Sequence, residues 1–389
     1  MDGNCLLSSF TQFMKRLSLQ ASNKDYNILF LSASISLYGI SFFGVSPITI
    51  GLVVFNILSY REISCWIKNA TYNSSMLLFL IYATLVCISF VFSIDKSVSI
   101  EEIFTLFNCM LLIIALSYYD KRRVILILTV ALFFRSGYEI VSMFLNPDEW
   151  LGLTQHDVRM AATSLGGDPN NLALMIVVAI VFSLYYCKGV FRVILLSVFT
   201  LHFFALYSRG AFLSILCALF VWFIFRKQYK NIVFLITCFC AVALLVCVLY
   251  KMDYVHFNLT SFTFSDSSSN TRLMYWHKAL QFNDLKSLLI GYGPKSSLSH
   301  YGHMIHSSWV ARLNEVGLFA FTTYMLLHLT AIIRLYLAKS PIGIMLMTLF
   351  VGSMFVDFHY NIVLWMILAL AYQPYFFPFD QNGIYDEKD

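Results

Sequence analysis

Residues 191–226 read FRVILLSVFTLHFFALYSRGAFLSILCALFVWFIFR. Two apolar runs, 191–207 and 210–226, each approach the about 20 residues a helix needs to cross a bilayer core. Between them stands a short corner, Ser208-Arg209. A charge near the bilayer midplane costs about 2.5–3.5 kcal/mol, whereas one at the mouth of a helix costs far less. Ser208 is a good N-cap, and the helix it opens offers free backbone N–H groups and the positive end of its dipole to an anion. The guanidinium of Arg209 adds a fork that matches phosphate oxygens. The competing reading is an arginine that snorkels to lipid headgroups.

The rest of the chain extends this pattern. Of 389 residues, 59% are hydrophobic and 12% charged, against about 25% charged in a soluble domain. Soluble classes are excluded, and the expected fold class is an all-α polytopic membrane protein with about twelve transmembrane helices. The expected spans are 27–44, 46–60, 75–94, 101–119, 123–145, 170–187, 191–207, 210–226, 231–250, 307–333, 341–358 and 360–377. They form a single integral membrane domain over residues 1–389, with no internal repeat. The first 26 residues lack the pattern of a cleavable signal peptide.

The charges between spans alternate. One side holds Lys15, Arg16 and Lys24, then Arg61 and Lys68, then Lys121, Arg122 and Arg123. It goes on to Lys188 and Arg192, then Arg226, Lys227 and Lys230, then Arg334 and Lys339. The positive-inside rule makes that side cytoplasmic, together with both termini. The outer side carries two substantial loops, 146–169 and 251–306, plus the Ser208-Arg209 corner and a turn near Asp357–His359. None of the nine cysteines falls in either outer loop, as expected of a chain that needs no disulfide. No nucleic-acid partner is expected.

The outer side also gathers residues suited to chemistry. The first loop holds Arg159 and then Gly166-Gly167-Asp168-Pro169-Asn170-Asn171, where Asp168 and Pro169 read as a helix start. In the second loop, apolar and aromatic residues recur at helical spacing through Leu273, Trp276, Ala279 and Leu280. This predicts a short interfacial helix with Arg272 in its first turn. An arginine there opposes the dipole unless an anion is near. Then come Gly291-Tyr292-Gly293-Pro294, a turn, and His300, His303 and His306. Without a carboxylate or cysteine beside them, these histidines make no convincing zinc site. His306 precedes Ser307-Ser308-Trp309 at the mouth of the tenth helix. The dipole there disfavours imidazolium, leaving a neutral ring able to accept a proton. Arg312 with Glu315, and Arg135 with Glu139, have the spacing of helical ion pairs. His202 and His328 read as bundle histidines.

Taken in order, Ser208–Phe212, Arg272–Trp276, Gly291–Gly293 and His306–Leu318 resemble the O-antigen ligase/polymerase superfamily of bacterial envelope enzymes. Arg159 and Asp168-Pro169-Asn170 are similar to that family's first outer-loop signature. The resemblance implies a GT-C-like glycosyltransferase of the bacterial inner membrane, multi-pass, with its active site on the periplasmic side. It implies a polyprenyl-diphosphate-linked oligosaccharide as donor and an acceptor glycolipid, with no metal and no other cofactor. A chain-length regulator and a flippase of the same pathway are possible partners. Arg209, Arg272 and His306 become catalytic candidates; Arg159, Ser208, Asp168, Asn170 and His303 become substrate-binding candidates. A repeat-unit polymerase is slightly favoured over a ligase that transfers polymer to lipid A–core. A lipid-linked glycan flippase is the reading from another class.

Overall fold

A computed structural model describes residues 23–41, 46–68, 74–147, 155–233, 236–237, 267–303, 305–359 and 361–372. Within them the chain is helical. The helices are α1 (Asn23–Ser36), α2 (Pro47–Leu58), α3 (Tyr60–Lys68), α4 (Ser74–Val91), α5 (Lys96–Leu116) and α6 (Lys121–Leu145). There follow α7 (Gln155–Ala161), α8 (Pro169–Tyr186), α9 (Gly189–Leu206), α10 (Arg209–Phe225) and α11 (Ser267–Ala279). The last are α12 (Leu285–Ile290), α13 (Ser297–Tyr301), α14 (Ser308–Leu337), α15 (Ile342–Gly352) and α16 (Ile362–Ala371). Helices overlie every expected span except 231–250, which lies largely outside the described residues, as does the start of the second outer loop, 251–266.

Five helices, α5, α6, α8, α9 and α14, are long and apolar enough to cross a membrane, and the bent pair α2–α3 makes a sixth if taken as one span. Together with the apolar residues on the outside of the bundle, such as Phe134, Phe144, Val193, Phe204 and Leu337, they mark a polytopic membrane protein. The centre is formed by α8, α15 and α16; every residue of Ile362–Ala371 is buried. Such helices, apolar all round, have no amphipathic stripe because they are enclosed by others.

The two ends differ. At one, Lys24 reaches Tyr118 O at 3.2 Å and Glu62 at 3.4 Å, and Arg123 pairs with Asp25 at 2.8 Å. At the other, loops are stitched by buried polar groups. Arg135 donates to the carbonyls of Ser36, Tyr38 and Gly166 and pairs with Glu139 at 2.7 Å. Glu139 in turn accepts from Ser164 and Leu165. The expected Arg135–Glu139 pair is therefore a structural clasp. His202 and His328 bond backbone carbonyls of Ala162 and Tyr324 inside the bundle.

Three expectations are corrected here. The second span, 46–60, is a helix that bends by 61° into α3. The eleventh ends at Gly352 instead of 358, because residues 353–359 turn back over α14. The tenth is broken: Gly317, at φ 75° and ψ 175°, interrupts α14. The break frees two carbonyls, which the Gly291–Gly293 turn satisfies. Tyr292 N donates to Asn314 O at 3.1 Å and Gly293 N to Glu315 O at 2.8 Å; Ser89 Oγ adds a bond to Glu315 O at 2.9 Å. Broken helices persist at membrane depth only when their backbone is re-satisfied in this way.

Candidate active site

The site is assembled by helix caps at the loop end. Asp168 closes the start of α8, accepting from Asn170 N at 2.7 Å, with Pro169 in the first turn. Tyr207 turns the chain out of α9 at φ 45°, and Ser208 then caps α10, accepting from Ala211 N at 3.4 Å. Ser307 caps α14 through Val310 N at 3.4 Å. Three helix N-termini therefore lie at one end, a favourable setting for negative charge.

Arg159, on α7, joins the first two caps. Its Nε donates to Leu206 O at 3.1 Å and its Nη2 to Asn170 Oδ1 at 3.1 Å. The same Oδ1 accepts from the Ser208 hydroxyl at 3.0 Å. Arg209 is the first residue of α10 and is exposed. Arg272 reaches across to Phe355 O at 3.4 Å. Phe355 packs on Gly210, where an added methyl would lie 2.9 Å from its Cβ. The 353–359 turn is anchored in turn by Ser308, whose backbone N–H donates to Ser353 O at 2.8 Å. Its hydroxyl donates to Val356 O at 3.0 Å and accepts from Phe358 N and His359 N.

Electrostatics links these groups. Burial lowers the Arg159 guanidinium pKa; Asp168 opposes the shift, and Arg272 and Arg209 add to it. The His306 imidazole is held below its ordinary 6.5, first by burial and then by Arg272, with Asp168 and Asp357 pulling the other way. Burial pushes the Asp357 carboxyl up, but His359, Arg312 and His306 outweigh it and hold the pKa below the usual 3.8. Arg159, Arg209, Arg272, Asp168, His306 and Asp357 thus share one electrostatic neighbourhood in which cations outnumber anions. Such a surplus suits a multiply charged anion such as a phosphate or diphosphate.

Two sequence expectations change in detail. Arg272 is not in a first turn: α11 starts at Ser267, so Arg272 stands in its second turn. His306 precedes the cap of its helix, at φ 53°, and burial and Arg272 lower its pKa. His303 stacks its ring on Tyr275, centroids 4.6 Å apart. His300 stacks on Tyr292 at 4.4 Å.

Arg312 and Glu315 pair at 2.8 Å as expected, but within a larger buried group. Arg312 also donates to Glu102, to Tyr82 OH at 3.3 Å and to His359 Nε2 at 2.6 Å. Asp357 is the residue the sequence did not single out. It pairs with His359 at 2.7 Å, and its only local signal is a lone carboxylate in the apolar run Met354–Phe358.

The family model described as O-antigen ligase matches residues 193–325, which supports the superfamily that the motifs resemble. The match takes in Arg209, Arg272, the Gly291–Gly293 turn, His306 and Gly317, and leaves Arg159, Asp168 and Asp357 outside it. No curated protein matches the chain.

Proposed function

From an O-antigen ligase/polymerase superfamily domain at residues 193–325, we propose that this chain is a membrane glycosyltransferase acting on a polyprenyl-diphosphate-linked glycan. The observation that carries the reading is the surplus of arginines Arg159, Arg209 and Arg272 around capped helix starts, in the same electrostatic neighbourhood as His306.

In the reaction, the bond between the donor's anomeric carbon and its phosphate oxygen breaks, and the electron pair leaves on the diphosphate. Arg209 and Arg272 stabilise that charge, helped by backbone donors at the start of α10. Arg159 positions the Ser208-Arg209 corner through Leu206 and Asn170. An acceptor sugar hydroxyl attacks the carbon from the opposite face, inverting it, and His306 takes the hydroxyl proton. Asp357 favours the imidazolium so formed, as its effect on His306 requires. Asp168 and Asn170 hold the α8 cap beside the donor, and His303, stacked on Tyr275, stands at the loop surface where glycan would pass.

In this reading the bundle has about twelve spans in a GT-C-like arrangement, and the end rich in Lys and Arg faces the cytoplasm by the positive-inside rule. The site then faces the periplasm of an inner membrane, and its neighbours are a flippase and a chain-length regulator. A repeat-unit polymerase is favoured slightly over a ligase.

The test is a gel profile of envelope polysaccharide from cells lacking the chain, complemented with wild type, Arg209→Ala, Arg272→Ala or His306→Ala. Core bearing one repeat unit without a ladder indicates a polymerase; bare core with polymer retained on the carrier lipid indicates a ligase. Donor accumulating on the inner face would indicate a flippase, and a normal ladder from all three variants would remove the catalytic assignment.

A further inference from the structure

A cavity of about 440 Å³ lies between α2 and α5, within the range of about 300–1,000 Å³ typical of ligand sites. Its polar lining includes Tyr38, Glu102, Asn108, Asn171, Asp357 and Asn361. α2 and α5 also contribute apolar side chains, Ile48, Leu52 and Phe104. An exposed pair, Lys295–Glu101 at 2.5 Å, stands at its rim.

Three features identify what this space suits. The first is Asn171. Its Nδ2 donates to Tyr38 OH at 2.9 Å, while its buried Oδ1 has no hydrogen-bond partner among the described residues. A buried amide oxygen is normally satisfied, so this residue of the cavity wall has unused hydrogen-bonding capacity. The second is charge. The three carboxylates on its wall are each paired, Glu101 with Lys295, Glu102 with Arg312 and Asp357 with His359, and none of Arg159, Arg209 and Arg272 lines the space. A phosphate or an acidic sugar would be disfavoured, whereas amides and carboxylates are good partners for hydroxyl and acetamido groups. The third is position. Asp357 lines the cavity and also acts electrostatically on His306.

We propose that this cavity holds the terminal sugar of the acceptor glycan as an uncharged ring, its reactive hydroxyl directed past Asp357 toward His306. The proposal rests on the glycosyl-transfer reading for the identity of the occupant. The donor's diphosphate and the acceptor's sugar then occupy opposite sides of the 353–359 turn, the first among cations and the second among amides and carboxylates. Acceptor choice resides in α2, α5 and the start of α8, all outside the stretch that matches the family model.

The test is saturation-transfer NMR on the purified full chain in detergent, with methyl N-acetylglucosaminide and methyl glucuronide as probes. The neutral glycoside should give a signal that falls severalfold in Asn171→Ala and in Thr49→Trp, which fills the cavity from its exposed rim. The signal should be unchanged in Arg209→Ala, and the glucuronide should give little. Thermal melts of each variant separate a lost site from a lost fold. Absence of a signal from wild type, an equal signal from the glucuronide, or an undiminished signal in a folded Asn171→Ala protein would overturn the proposal. If Arg209→Ala cells keep a normal polysaccharide ladder while the cavity variants lose glycoside binding, transfer chemistry falls and the sugar site stands.

Discussion

At the scale of single residues, His306 gives the sharpest expectation. The neutral ring is the proton acceptor, and its pKa is held below 6.5 by burial and by Arg272. Activity should therefore persist as the pH falls through 6.5 and decline only once the lowered pKa is reached. Arg272→Gln removes a lowering contribution and should move the acid limb of kcat/KM to higher pH. Asp357→Asn removes a raising one and should move it to lower pH. Profiles of the residual rates of both variants check the signs, and limbs that coincide with wild type would exclude His306 as the group that titrates. The Ser208 and Asp168 caps were legible in the sequence because a cap is written within four residues. Asp357 was not legible, since His306, Arg312 and the cavity come to it from distant parts of the chain.

At the scale of elements, two glycines face each other. Gly291, at φ 85° and ψ −179°, and Gly317 both occupy backbone conformations open essentially to glycine alone. A methyl on Gly291 would lie 2.2 Å from Glu315 O, and one on Gly317 2.4 Å from Leu289 O. Either Gly→Ala change should cost at least about 1–3 kcal/mol from backbone strain alone, read as a lower thermal midpoint in detergent. Gly137→Ala, with nothing within 4 Å, is the control and should leave the midpoint unchanged or slightly raised. The five long apolar helices were legible from hydropathy because each carries a sustained apolar run. The break in α14 was not, because an isolated glycine in an apolar run is also compatible with a continuous helix; only the docking of residues 289–293 decides it. The start of α11 was missed for a related reason. Ser267–Asn270 has the composition of a linker, yet it forms the first turn of a helix whose Ala279 packs with Ile305 and Ala311.

At the scale of the whole molecule, the two ends should be separable by chemical access. In a version of the chain stripped of its nine cysteines, Ser299→Cys should react with an impermeant maleimide on intact spheroplasts. Lys227→Cys should react only after permeabilisation. Labelling of both from the outside would overturn the orientation. Alternating loop charge made this reading possible from sequence, since it depends on a sum over many residues and survives errors in any one boundary. The helical membrane class was legible for the same reason, whereas the enclosure of α8, α15 and α16 by other helices was not, because an apolar helix looks alike whether lipid or protein surrounds it.

The break at Gly317 also sets a length. As one rod, Ser308–Leu337 would extend for 30 residues, or about 45 Å at 1.5 Å per residue, well beyond a hydrocarbon core of about 30 Å. The part after the break, residues 318–337, measures about 30 Å by the same rise. The glycine therefore acts as a depth gauge. It lets one part of α14 match the thickness of the bilayer while the other, with Arg312 and Glu315, takes its direction from the loops above.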